Sequence, residues 1–271
     1  MIGKKVMKSR RILVISLSVI FAAILVFSFF FAFTVKKVNA TFSVFDGSDA
    51  ECEKLKTEFD NFLGRNLLFF DEKEVEKIVA DYPLFEVKSV SKNYPDGIFI
   101  TVAERKEVYL FSSGDKNFVI SEDGKAIRNG DKTSDGGLVK LSIVNFGETE
   151  VKLGEVISTD YTENLLNAFA IAKSVKLTDK VSEIKIERKL STKKPEELGV
   201  YETVITFSTL TEVNVTVWDA DNGGEEKALA VFDKFDSLSD YEKSFYDLEV
   251  DFDSEGKIVI VWTKDGTREV I

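Results

Sequence analysis

Asp219-Ala220-Asp221-Asn222-Gly223-Gly224-Glu225-Glu226 comes closest in this sequence to a metal-binding motif, because aspartates at loop positions 1 and 3 and a glycine at position 6 imitate an EF-hand. Position 5 is Gly223, however, and position 12, where a bidentate glutamate is required, is Ala230. The segment therefore reads as a solvated turn ahead of a helix. The 271-residue chain has no histidine, which removes Ser-His-Asp and Cys-His nucleophile pairs and every imidazole metal site. Its single cysteine, Cys52, can close no internal disulfide. Cys52 falls on a helical apolar stripe, where it reads as a small buried hydrophobe, with a reactive thiol as the alternative. Among 47 Asp and Glu residues, carboxylate pairs for acid-base work are easy to draw, and no spacing favours any of them. The sequence thus names no catalytic residue, cofactor or metal ligand, and it points to binding rather than turnover.

The charge distribution says where such binding takes place. Residues 1–37 carry seven basic residues (Lys4, Lys5, Lys8, Arg10, Arg11, Lys36, Lys37) and no acidic one, leaving 29 basic and 47 acidic residues, or −18, for residues 38–271. Ile12 to Val35 is uncharged; as a helix it reaches ~36 Å, enough to cross a hydrocarbon core of ~30 Å. It reads as one transmembrane helix. The five basic residues before it put residues 1–11 in the cytoplasm as a short tail, and the rest outside, a single-pass type II arrangement. The alternative is a signal peptide cleaved after Ala40, since Val38-Asn39-Ala40 has the pattern of a processing site. Against it stand the length of the apolar run and the lysines at 36 and 37 between that run and the site. The phenylalanines of the run (Phe21, Phe27, Phe29, Phe30, Phe31, Phe33) read as lipid-facing bulk, as no GxxxG seam accompanies them. An acidic outer part is repelled by nucleic acid and by anionic lipid or wall polymer, so its expected partners are proteins.

Two differently patterned regions follow. In the first, a strand at Thr41 to Phe45 precedes a capping box, Ser48 with Glu51, and a helix with the stripe Cys52, Leu55, Phe59, Phe62 and Leu63, stopped by Gly64. A second capping box, Asp71 with Glu74, opens a helix bearing Val75, Ile78 and Val79, and Pro83 lies past its end. Strands at Val87 to Asn93 and Ile98 to Glu104 flank Tyr94-Pro95-Asp96-Gly97, where a tight turn with positive φ at Gly97 is expected. The order is β-α-α-β-β. After about residue 107 the pattern is mostly strand: 108–112, 117–121, 125–128, 138–143, 182–187, 201–207, 213–218, 246–252 and 257–262. Two helices interrupt these, one with Leu165, Leu166, Phe169 and Ala172 opened by Asp160 and Glu163, the other with Ala228, Leu229, Phe232 and Phe235. The fold class is α+β, dominated by antiparallel sheet in this second region.

Gly64-Arg65-Asn66-Leu67-Leu68, Tyr82-Pro83-Leu84-Phe85 and Tyr94-Pro95-Asp96-Gly97 running into Ile98 to Arg105 resemble the membrane-proximal POTRA domain of the FtsQ/DivIB family of bacterial division proteins. The residues that carry the likeness are Gly64, Asn66, Leu67, Pro83, Pro95, Glu104 and Arg105. Phe118 to Gly124 is similar to the family's next landmark, and Glu226-Lys227, Asp247-Leu248 and Phe252-Asp253-Ser254 with Gly256 resemble its helix, penultimate strand and terminal hairpin. Trp218 stands where the family has a glycine, and Leu138-Val139-Lys140-Leu141 lacks the usual proline. The resemblance implies a transmembrane helix at 12–35, a POTRA domain at 40–107, a β domain at 108–264 and a tail at 265–271. It further implies a non-enzymatic scaffold, enriched at the septum, that binds small bitopic coiled-coil proteins of the FtsB/DivIC and FtsL type and helps control septal peptidoglycan synthesis. Arg105 reads either as a recruitment contact or as a structural ion pair at the domain junction.

The strand Lys257 to Trp262 is apolar on both faces and near the C-terminus. It is expected at a sheet edge, where a partner strand would pair with it. Phe252, Ser254, Gly256, Ile258, Ile260 and Trp262 form the candidate partner site, with Phe252 and Trp262 as aromatic anchors. The alternative is a strand inside the sheet. Two rival functions are a POTRA-bearing secretion or translocation accessory, although no strand series long enough for a membrane barrel is present, and a processed secreted enzyme using carboxylates.

Overall fold

Residues 2–44, 49–175, 180–191, 199–264 and 267–270 are described by the computed structural model. Contacts divide the chain into two units, Met1–Glu104 and Arg105–Ile271. The expected division near residue 107 therefore falls three residues earlier.

In the first unit, helix α1 spans Ile2–Ala32, and its stretch Ile15–Ala32 is long and apolar enough to cross a membrane. The helix stops three residues short of the expected boundary, because Val35 is buried in the core that follows. Strand β1 (Lys37–Ser43) starts earlier than expected; Ser48 and Phe45, placed by sequence in a cap and in the strand, lie outside the described residues. Helix α2 (Asp49–Phe59) continues into a 3-10 turn at Asp60–Phe62, and Gly64, at φ +81°, ends the rise. Cys52, Leu55, Phe59 and Phe62 are buried as their spacing requires, whereas Leu63 lies beyond the helix and is exposed. Helix α3 (Lys73–Ala80) is opened by the Asp71 carboxylate, which accepts from the Lys73 N–H at 3.1 Å. The expected reciprocal cap does not form, because the Glu74 side chain pairs with Arg65.

Strands β2 (Phe85–Asn93) and β3 (Gly97–Glu104) pair antiparallel, and β1 joins β3 in parallel, giving the order β1-β3-β2. Gly97 is not in the left-handed region; its missing side chain instead admits Asn93, whose carbonyl oxygen would lie 3.3 Å from a Cβ. Val38-Asn39-Ala40 is inside β1, in register with Ile98 to Ile100. A cut after Ala40 would remove the first half of that strand.

The second unit is built on one ten-stranded sheet. Its strands are β4 (Glu107–Ser113), β5 (Lys116–Ser121), β6 (Ala126–Asn129), β7 (Val139–Val144), β8 (Val181–Leu190), β9 (Tyr201–Thr209), β10 (Asn214–Val217), β11 (Asp247–Phe252), β12 (Ile258–Lys264) and β13 (Thr267–Val270). They lie in the order β13-β12-β11-β10-β9-β8-β7-β4-β5-β6. Most neighbours are antiparallel, but β4 with β7, β7 with β8, and β10 with β11 are parallel. Parallel neighbours need long crossovers, and two of these carry helix α4 (Thr162–Ser174) and helix α5 (Gly224–Ser237). The core forms between the helices and alternate strand residues such as Leu141, Ile184, Ile186, Phe207, Val215 and Leu248. Helix phase differs from expectation at two leucines: Leu166 and Leu229 are exposed, while Ile171 of α4 and Val231 of α5 point inward. The expected cap of α4 by Asp160 is not made; Thr162 instead exchanges hydrogen bonds with Thr159.

Candidate functional site

The sequence-predicted motif of the first unit converges where the chain leaves α1. The Gly64 N–H donates to the Val35 carbonyl at 2.9 Å, and the Val35 N–H donates to the Arg65 carbonyl at 2.8 Å. Leu67, fully buried, donates its N–H to the Phe33 carbonyl at 2.7 Å. Asn66 works in both directions: its amide nitrogen donates to the Phe30 carbonyl at 3.1 Å, and its side-chain oxygen accepts from the Leu68 N–H at 2.9 Å. On the other side, the Lys36 and Lys37 N–H groups both donate to the Asp96 carbonyl, and the Lys36 ammonium stands 3.6 Å from the Asp96 carboxylate. The chain leaving α1 is thus held between the loop at 63–67 and the turn at 94–97. Pro83 plays no part in this clamp; it sits in the short connection from α3 to β2.

Asn66→Ala removes both side-chain bonds of that clamp and leaves the last-turn carbonyl of Phe30 without this donor. A loss of about 1–2 kcal/mol is expected, read as a lower melting midpoint of the full-length chain in detergent. Asn66→Asp should not restore stability, since a carboxylate still accepts from Leu68 but cannot donate to Phe30.

Arg105 opens the second unit and pairs with Asp123 at 2.7 Å, with only 13% of its side chain exposed. The ion pair joins two residues of the second unit. Glu104 closes β3, opposite Phe85. A second charge cluster escaped the sequence reading. Arg128 bonds to both oxygens of Glu107, at 2.7 and 2.6 Å, and to both oxygens of the buried Asp135, at 3.1 and 2.8 Å. The Arg128 guanidinium holds the Asp135 carboxyl below the usual carboxylate range against the opposing effect of burial. A depressed folded-state pKa stabilises above the unfolded value, about 3.9, and that stabilisation is lost as the pH falls through the lower folded value. Asp135→Asn is therefore expected to melt earlier than the parent at pH 7. The two midpoints should approach one another below about pH 4, as thermal melts across pH 2–8 would show.

The candidate partner residues lie at the far end of the large sheet. β11 and β12 form a hairpin whose turn is tied by the Asp253 carboxylate, which accepts from the Glu255 and Lys257 N–H groups at 2.8 Å each. Ser254 and Gly256 are exposed in this turn, and Gly256 adopts φ +78°. Ile258, Ile260 and Trp262 form one face of β12 and pack, half-buried, against the core. Trp262 stacks on Tyr246 with ring centroids 4.7 Å apart, and its indole N–H donates to Glu269 at 3.3 Å.

The expected edge is not at β12. β13 pairs with it from Val261 to Lys264, so the segment expected as a tail supplies the edge strand. All four residues of β13 are exposed. Lys264 and Thr267 are in register, and the intervening Asp265-Gly266 is a two-residue hairpin signal in the sequence that would have revealed this strand. Beside the hairpin, Trp218, Glu249, Asp251, Val259, Val261 and Arg268 line a cleft of about 380 Å³. Trp218 donates its indole N–H to Glu249 at 3.1 Å, and Arg268 bonds the same carboxylate oxygen at 2.7 Å.

The EF-hand-like stretch proves to be a structural turn held by a buried cation. Lys227, with 0% exposure, donates to the carbonyls of Trp218 at 2.5 Å and Asp219 at 2.7 Å, and lies 3.5 Å from the Asp251 carboxylate. Asp221 accepts from the Thr203 N–H at 3.2 Å. Among the described residues, no group of three His, Cys, Asp or Glu side chains is arranged to hold a metal ion. Phe252 covers this assembly: its ring lies 4.9 Å from the Lys227 ammonium and against Gly223, where an added Cβ would approach it to 2.7 Å. Cys52 is buried in the first unit. Compared with models of known protein families and with curated proteins, the sequence matches none.

Proposed function

We propose that this chain is a membrane-anchored scaffold of the bacterial division machinery of the FtsQ/DivIB type. Its N-terminus would be cytoplasmic, with a POTRA domain and a β domain outside the membrane, and it would capture bitopic coiled-coil partners of the FtsB/DivIC and FtsL type. The observation that carries this reading is the convergence of Gly64, Asn66 and Leu67, the residues that bear the sequence resemblance, on the chain leaving the membrane-length helix. A motif spent on joining a membrane helix to a β-α-α-β-β unit is what a bitopic scaffold requires. The position of Val38-Asn39-Ala40 inside β1 also favours a retained anchor over a cleaved leader. The partner site is assigned to the β11–β12 hairpin and to the edge of β12 from Ile258 to Ile260, which β13 leaves unpaired among the described residues and beside which Phe252 and Trp262 are held in place.

The test is fluorescence microscopy of an N-terminal fluorescent fusion in dividing host cells, repeated with Trp262→Ala. A ring at the division site supports the septal role, and its loss in a stably expressed variant places partner capture at the hairpin. An even peripheral signal throughout the cell cycle would sink the division reading.

A further inference from the structure

Beside the end of α1, the aromatic side chains of Phe30, Phe69 and Tyr94 lie outside the core of the first unit, while Phe33 packs against its margin. Phe69 is 72% exposed, although Leu67 and Phe70 beside it are buried. Its ring stacks on Phe30 in the last turn of α1, with centroids 5.9 Å apart and planes 20° from parallel. Tyr94, 57% exposed, meets Phe33 edge-on at 5.9 Å. Phe30 is the third residue from the end of the apolar span Ile15–Ala32, so at 1.5 Å per residue it lies about 3 Å inside the span's end. A ring stacked on it cannot be far from the same depth. A large apolar side chain left in water would be costly, and aromatic rings are favoured at the membrane–water boundary.

We infer that the first unit is seated directly on the lipid bilayer, with the Phe69 loop and the Tyr94 turn inserted at the headgroup boundary as a two-point aromatic anchor. The occupant of this exposed surface is lipid because the patch is continuous with the apolar face of α1. The inference rests on α1 spanning the membrane. Charge is balanced at the contact: Lys36 and Arg65 each have a carboxylate partner, Asp96 and Glu74, and the exposed Lys37 is countered by acidic Asp71 and Glu72, which follow Phe69 closely. The anchor is thus apolar, and it fixes which end of the β1-β3-β2 sheet faces the membrane. With two bilayer contacts beside the helix, the unit cannot swing freely about residues 33–36.

The experiment uses the full-length chain with Cys52→Ala, reconstituted into phosphatidylcholine vesicles. Spin labels are attached singly at Phe69→Cys, at Leu25→Cys in the apolar span, and at Ser43→Cys at the other end of β1, six residues or about 20 Å along the strand. Depth is read from the collision rates of the label with oxygen and with a water-soluble nickel chelate. The label at 69 is expected within about 5–10 Å of the headgroup/acyl boundary, that at 25 deep in lipid and that at 43 in water. A label at 69 as water-exposed as that at 43, with 25 in lipid, overturns the inference and leaves the span intact. A label at 25 in water overturns both. Adding phosphatidylglycerol should leave the depth at 69 unchanged; insertion seen only with that lipid would replace the aromatic anchor by electrostatic attraction. Because a label removes the Phe69 ring, a second label at Leu63→Cys is read with Phe69 intact and with Phe69→Ser. The serine variant is expected to move that label toward water, and no movement would overturn the role given to Phe69.

Discussion

Lys227→Met is expected to lower the melting midpoint of the full-length chain by on the order of 10 °C, although methionine fills nearly the same volume and suits a helix. The ammonium of Lys227 is fully buried and supplies hydrogen-bond donors to two carbonyls, Trp218 and Asp219, with the Asp251 carboxylate close by. Removing the cation leaves those acceptors facing a thioether. Breaking a buried charged pair by deleting one partner costs about 3–5 kcal/mol, and for a unit of this size each kcal/mol shifts the midpoint by about 2–4 °C. Lys227→Arg should recover only part of the loss, because a planar guanidinium does not fit a pocket shaped for a tapering ammonium. The double variant Lys227→Met with Asp251→Asn separates the electrostatic part of the loss: it should recover what the Asp251 charge costs beside the missing cation, while the oxygen that accepts from the Phe252 N–H is kept. Differential scanning fluorimetry on the four proteins reads all of this; a single variant within about 1 °C of the parent would show that the turn is held by something else. The effect reaches the candidate site as well. Lys227 joins α5 to the turn after β10 and lies beneath Phe252, so its loss loosens the hairpin on which partner capture is placed.

Lys227 also shows where the sequence could and could not be read. Apolar spacing marks α5 correctly, through Ala228, Phe232 and Phe235, but it assigns Leu229 inward and offers no reason to bury a lysine. The reason is tertiary: the chain leaving β10 presents the Trp218 and Asp219 carbonyls to the core, and the long side chain of Lys227 on α5 carries donors that reach both. The β-α-α-β-β order of the first unit was legible because its elements carry local signals, a stripe on α2 and α3, β-branched residues dense on β3, and the Pro95-Asp96-Gly97 turn that separates β3 from β2. Strand partners were less so. Nothing in the pattern says that β4 lies beside β7 in parallel, since both faces of such strands satisfy the same alternation. The charge cluster of Arg128, Glu107 and Asp135 was hidden because Glu107 lies 21 positions from Arg128, Asp135 comes from a loop with no regular pattern, and each is individually ordinary. At the end of α1, Asn66 was visible as part of a motif, while its bond to Phe30, across 36 positions, was not.

Ending the chain at Lys264 is expected to leave the fold intact and, under the proposed function, to tighten binding of the proposed coiled-coil partner. The deletion removes β13, whose four described residues are themselves exposed, and with it the ion pair of Arg268 with Glu249, worth about 0–1 kcal/mol. The core face of β12, with Ile258, Ile260 and Trp262, loses only the Trp262 bond to Glu269. The backbone edge of β12 from Val261 to Lys264, now occupied by β13, becomes free. Among the described residues, β13 reaches no further than Val261, so a partner strand starting at Ile258 would run into it and have to displace it. If this short, exposed strand contributes about 1–2 kcal/mol to the edge, its removal should lower the Kd for the outer segment of a DivIC-type partner by about 5–30-fold. Titration calorimetry on the parent and truncated chains measures that difference directly, and a thermal melt of the truncated chain guards against unfolding. A folded truncated chain that binds more weakly than the parent would mean that the partner strand adds to the outer side of β13. The binding edge would then be Thr267 to Val270, and the hairpin aromatics would support the sheet rather than grip the partner.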